Sequence, residues 1–213
     1  MLIEIIVFPG VDELDAIGPL EVLRSAAEAG ADFQVRLVSL GGAGEVTGSH
    51  GLRVGVDGAL GSSGRPDMLV VPGGGWGKRA PQGAWAEAQR GVIPEAVAKL
   101  HREGTILATV CTGAMLVASA GLLRGRRAVT HHGALEELRN SGAEVVSARV
   151  VDDGNIISAG GVTSGIDLAL YLVERFVNRE LAGRIAANLE YERLGAVKVS
   201  VGSAPGARAQ VTA

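Results

Sequence analysis

One cysteine, Cys111, stands among 213 residues, and aromatic residues make up only 3% of them. A lone thiol closes no intrachain disulfide, so a reducing compartment, the cytoplasm, is the expected location. With so few rings the core has to be aliphatic, and 32 glycines point to glycine-rich turns. A strong charge of either sign is also missing: 20 basic residues face 23 acidic ones, for a net −3. That excludes the basic footprint of a nucleic-acid binder. No apolar run reaches the roughly 18 residues expected of a membrane span. The opening "MLIEIIVFPGVDELD" has no basic n-region, and its short apolar run already carries Glu4, so it does not read as a signal peptide. What is present is a hydrophobic fraction of 47%. The length suits one α/β domain. We read a single domain over residues 1–195 and a tail over 196–213, whose "GSAPGARAQVTA" is small and polar.

Along the chain, strand-like and helix-like segments alternate. "LIEIIVF" reads as a buried first strand, and "GPLEVLRSAAEAG" as a helix with Pro19 in its first turn. "FQVRLVSL" alternates as a second strand, and "MLVVPGGGWG" is a strand running into a glycine turn. "GVIPEAVAKLHREG" is helical, with Pro94 marking a kink or restart. "TILATV" and "TGAMLVASAGLL" are strand then helix. "RAVTHH", "EVVSARVV" and "NIISAG" read as strands, with "GALEELRNSG" a helix between the first two. "TSGIDLALYLVERFVN" and "RELAGRIAANLEYE" close the chain as amphipathic helices. Nearly continuous apolar strands separated by helices predict an α/β fold with a mainly parallel sheet covered on both faces. Ligands in such folds gather where strands end. Three strand ends here carry unusual chemistry: "FPGVDELD", "VVPGGGWG" and "ATVCTGA".

An unpaired cysteine is usually a small buried apolar residue. The context of Cys111 reverses that reading. A nucleophile on a sharp strand-to-helix turn needs small neighbours, and Thr109, Gly113 and Ala114 leave that space. The following helix would offer its N-terminal N–H groups to the sulfur, which favours thiolate. "PGGGWGKR" fails as a phosphate loop. Pro72 stands five before Gly77, and Arg79 follows Lys78. Beyond a plain tight turn, its glycines suit an oxyanion hole, with the amides of Gly74 and Thr112 as expected donors. Gly73, Gly75, Trp76 and His131 are the expected substrate contacts around it. Among Asp12, Glu13 and Asp15, at least two should be helix-end acids. Asp15, between Leu14 and "AIG", is best placed to point inward as a proton donor raised by the thiolate's charge. His50, His101, His131 and His132 show no metal-ligand spacing, so no metal is expected. One of the pair after "RAVT" could serve Cys111 as a base, although a histidine hydrogen-bonded at a strand end is the commoner case.

"VFPGVDELDAIGPLEVL", "LVVPGGGWG", "ATVCTGAMLVASAGLLRGRRAVTHH" and "SAGGVTSGIDLALYLVERF", in that order, resemble the ThiJ/PfpI superfamily, relatives of class I glutamine amidotransferases. The resemblance covers nearly the whole chain up to "LEYE". It implies a flavodoxin-like three-layer α/β sandwich, a homodimer, and a cysteine on a nucleophile elbow. Protease-like members place His after the cysteine, whereas this chain has Thr112. "LDAIGP", with Asp15 where other branches carry Glu, is similar to isocyanide hydratases and to amidotransferase-like domains of AraC-type regulators. Those regulators continue into a helix-turn-helix domain, for which 213 residues leave no expected room. The resemblance therefore points to isocyanide hydratases, with Cys111, Asp15 and Thr112 at their active-site positions and no cofactor. It implies conversion of a small-molecule isocyanide to an N-substituted formamide. Other readings are a glyoxalase- or deglycase-like or peroxide-sensing stress protein of the same superfamily, and a non-catalytic ligand-binding module.

Overall fold

The structure, a computed structural model, describes residues 1–200. In chain order the elements are β1 (Leu2–Ile6), α1 (Glu13–Glu28), β2 (Gln34–Ser39), β3 (Gly44–Thr47), β4 (Arg53–Val56), β5 (Gly58–Ala59) and β6 (Met68–Val71). Then come α2 (Ala84–Arg90), α3 (Val92–Arg102), β7 (Ile106–Val110), α4 (Gly113–Ser119) and β8 (Arg127–Ala128). After a 3₁₀ turn (His132–Ala134) follow α5 (Leu135–Asn140), β9 (Glu144–Val145), β10 (Val150–Asp152) and β11 (Ile156–Ala159). The described chain closes with α6 (Ser164–Phe176), α7 (Arg179–Asn188) and β12 (Lys198–Val199).

Eight strands form one sheet in the order β12-β10-β11-β7-β6-β1-β2-β5, parallel throughout except between β10 and β11. The chain steps one way from β1 to β2 and the opposite way from β6 to β7. With right-handed crossovers this puts α1 and α3 on opposite faces. α6 and α7 pack with α1, and α2, α4 and α5 form the other layer around α3. The expected three-layer α/β sandwich is thus the fold. β6 is buried at every position, as a strand covered on both faces must be. The core is built from aliphatic side chains such as Ile3, Ile5, Leu69, Leu107 and Leu116.

Several local readings are corrected. α1 begins at Glu13, so Pro19 lies inside it rather than in its first turn. Its ring packs where α1 crosses α6, and a Cβ on Gly165 would lie 3.3 Å from it. Pro94 is the third residue of α3, where no intrahelical N–H bond is yet required, so it marks neither a kink nor a restart. "RAVTHH" contributes only the two-residue β8, which pairs with β9 apart from the main sheet. "EVVSARVV" divides into β9 and β10. The β3–β4 hairpin, β5 and α2 had no counterpart in the sequence reading. The expected tail begins with a strand, because β12 pairs in parallel with β10. Residues 201–213 of that tail lie outside the described residues. No helix among the described residues is long and apolar enough to cross a membrane.

Candidate active site

The order of the sheet reverses between β1 and β6, and loops leaving their carboxyl ends diverge there. Cys111 follows β7 directly. Its φ of +55° lies in the left-handed region, a costly conformation for a residue with a Cβ. Neighbouring groups hold it there. Its N–H donates to the carbonyls of Ala159 and Gly160 at 3.1 and 2.7 Å, and its own carbonyl accepts the Thr130 hydroxyl at 2.8 Å. The expected elbow is present, and the space around it is tight. A Cβ on Gly113 would lie 1.9 Å from the Val71 carbonyl oxygen.

Of the three N-terminal acids, Asp15 alone is fully buried. Its Oδ2 accepts the Gly73 N–H at 2.9 Å, while Oδ1 has no hydrogen-bond partner among the described residues. The carboxyl lies within interaction range of the Cys111 thiol. Burial raises its pKa to about 8, helped by the charge of Asp12. A proton therefore resides on Asp15 at neutral pH. Burial, more than the like charge, holds it there. Burial also pushes the Cys111 thiol up to about 12, with Asp15 adding to it, against the N–H groups of Val162 and Thr112 at the sulfur. The expected bias toward thiolate from the helix end is thus outweighed by desolvation.

The other expected site residues separate into distinct places. Thr112 lines the pocket, and its Oγ1 accepts the Gly74 N–H at 3.0 Å. Gly74 therefore cannot be the anion donor expected of it, because its amide already points back into the protein. Gly73 does not line the pocket. Its amide serves Asp15, and a Cβ there would lie 2.4 Å from the Thr112 hydroxyl. Gly75, Trp76 and His131 do line it. The Trp76 Nε1–H donates to Glu137 at 3.1 Å, and Trp85 meets its ring edge-on, so the indole is a fixed wall. His131 Nδ1 accepts the Gly133 N–H at 3.1 Å. Burial, then the neighbouring His132, lowers its pKa, which leaves it a neutral ring whose remaining proton is on Nε2. That arrangement is not a base for Cys111.

The pocket is a cavity of about 600 Å³. Part of its wall went unread in the sequence. The β3–β4 turn supplies Gly48, Ser49 and His50. Glu13 clamps that turn by accepting from the amide of His50, its ring Nδ1 at 2.8 Å and the Ser49 hydroxyl. Burial opposes ionisation of Glu13, but these hydrogen bonds outweigh it and hold its pKa at about 2. Glu13 is thus a loop clamp rather than a simple helix-end charge. Asp12 makes no cap hydrogen bond and lines the pocket instead. Asp12, Glu13 and His50 each place one potential ligand atom within 4.8 Å of the others, although the Glu13 carboxylate is already engaged. Alternation through "GEVT" and "RVGV" could have revealed the hairpin. No local signal could have found the Val162 amide, since only the pairing of β11 with β7 brings it to the sulfur.

Comparison with known proteins bears on this site. The sequence pattern of the DJ-1/PfpI family matches residues 1–175. An isonitrile hydratase of Pseudomonas putida is 35% identical over 186 residues, 87% of this chain and 76% of that protein. A deglycase of Pyrococcus abyssi is 38% identical over 119 residues, 54% of this chain and 67% of that protein. The crystal structure of a ThiJ/PfpI family protein from Pseudomonas syringae superposes with a TM-score of 0.79 at 27% identity, covering 91% of this chain and 76% of that one.

Proposed function

The chain belongs to the DJ-1/PfpI family, and on that premise we propose that it is a cysteine-dependent hydratase that converts an isocyanide to an N-substituted formamide without a cofactor. The observation that carries this reading is the Cys111–Asp15 pair: a buried, protonated carboxyl with one unpartnered oxygen beside a thiol on a strained elbow. Hydration of R–N≡C needs both a nucleophile and a proton donor at one carbon. Similarity to an isonitrile hydratase supports the choice of substrate class. Thr112 in place of a histidine after the nucleophile separates the site from a Cys–His dyad.

The steps balance on this pair with both groups neutral, the form in which burial holds them. The Cys111 sulfur attacks the terminal carbon, forming the S–C bond, as Asp15 delivers its proton to that carbon and takes up the thiol proton, which gives a thioimidate R–N=CH–S. Water adds to this carbon, with Asp15 giving its proton to the nitrogen and taking one from the water. Collapse of the resulting R–NH–CH(OH)–S centre breaks the C–S bond. The hydroxyl proton passes through Asp15 to the departing sulfur, which restores the thiol, and the formamide R–NH–CHO leaves. The amides of Thr112 and Val162 at the sulfur stabilise its anionic form. The cavity volume falls within the ordinary range for small-molecule sites, about 300–1,000 Å³.

The test is incubation of the purified protein with a simple alkyl isocyanide, following loss of the N≡C stretch and appearance of the formamide proton. Wild-type turnover and none with Cys111→Ala is the expected result. Consumption of methylglyoxal but not isocyanide would replace this reading with the deglycase-like one. Undiminished turnover by Cys111→Ala would exclude covalent catalysis.

A further inference from the structure

Two loops that wall the active site also wall a second cavity. His131 and Val162 line the cysteine pocket, whereas His132, Gly160 and Gly161 line a separate cavity of about 520 Å³. The two cavities have no lining residue in common. The ionisable residues of the second are His132, Arg139 and Arg149, and no Asp or Glu lines it. In a chain of net charge −3 this is a local reversal of sign. Arg149 is held in place, its Nε donating to Asp167 at 2.7 Å and an Nη to the Thr163 hydroxyl at 3.1 Å. Asp167 therefore offsets part of its charge. Arg139 has no carboxylate partner among the described residues. A cation in the last turn of α5 suits that helix end, but this does not explain a concave, acid-free surface beside it.

The rest of the lining narrows the ligand. Val129, Leu135, Val145 and Val146 give the cavity an apolar side, and Ser147 and Ser164 add hydroxyls. Ser164 is also the first residue of α6, a 13-residue helix whose N-terminal end carries partial positive charge. Inorganic ions would leave the apolar side uncovered, and a neutral apolar molecule would make no use of the Arg139 charge, which lines the cavity from an exposed position. We propose that this cavity is a second ligand site, for a small organic oxyanion: a carboxylate or phosphate monoester on a compact apolar body.

Isothermal titration of the full chain with benzoate, phenyl phosphate and neutral benzyl alcohol tests the proposal. At least one of the two anions should bind saturably, with benzyl alcohol at least about ten-fold weaker. Arg139→Gln should weaken that anion by about five-fold or more, on the scale of a lost charge-assisted hydrogen bond. Ser147→Asp, which places a negative charge in the cavity, should weaken it as well. Lys78 lines the cysteine pocket and not this cavity, so Lys78→Gln should leave anion binding within about two-fold. Three results would each overturn the site: no saturable binding of either anion, equal binding of benzyl alcohol, or loss with Lys78→Gln but not with Arg139→Gln.

Discussion

Burial acts on Cys111 and Asp15 in the same direction. Each is pushed toward its neutral form, so the pair binds a proton that the unfolded chain would release. The consequence for stability has a definite sign. Asp15 has a folded pKa of about 8 against 3.8 for an ordinary Asp. Between those values the native state holds more protons than the unfolded one, so stability falls as pH rises through that window and levels off above it. Asp15→Asn removes this dependence. The variant should match the wild type more closely near pH 4, and by pH 8 it should be the more stable of the two in urea unfolding. Parallel pH profiles for the two proteins would show that Asp15 titrates normally. The same variant should lower kcat/KM for an isocyanide by roughly 10²-fold or more, the scale of lost general acid–base catalysis.

At the scale of elements, the site depends on how closely the end of β6 approaches the start of α4. Gly113 permits this, because any side chain there would overlap the Val71 carbonyl. Gly113→Ala is expected to cost about 3 kcal/mol or more, as for overpacking against rigid backbone. Chemical denaturation monitored by circular dichroism would measure it, and a loss below about 1 kcal/mol would mean the elbow relaxes freely. The β3–β4 hairpin depends on one side chain from α1 instead. Glu13→Gln keeps the shape but removes the charge that binds the His50 ring and the turn amides. Because the turn forms pocket wall and not chemistry, KM should rise about three-fold or more with kcat within about two-fold. A collapse of kcat with KM unchanged would instead place Glu13 in the reaction.

For the molecule as a whole, assembly is the open expectation. Leu14 and Leu52 are 39% and 50% exposed, and with Val162 they line a cleft beside the active-site pocket. A second copy of the chain covering these leucines would remove that apolar surface from water. Light scattering should give twice the 21.7 kDa chain mass, and Leu52→Asp should shift it toward the single-chain value. A wild-type mass of one chain at micromolar concentration would count against the dimer.

The alternation of apolar strands with helices, the small residues around Cys111 and the glycine run after β6 were sufficient to read a parallel α/β sheet with a cysteine elbow. These are local properties, set by side-chain volume, periodicity and the conformations glycine allows. Asp15 was picked out by its apolar neighbours, although it was read as preceding the helix; it lies in the first turn of α1, where it faces inward while Leu14 faces solvent. The direction of the Gly74 amide, the clamp on Glu13, the tautomer of His131 and the arrival of Val162 at the sulfur were not legible in the sequence. Each depends on a group distant in sequence: Thr112, the β3–β4 turn, Gly133 in its folded turn, and the register of β11 on β7. Periodicity states which side of an element faces inward. Only packing decides what stands opposite, and hydrogen bonds and desolvation are properties of that opposite partner.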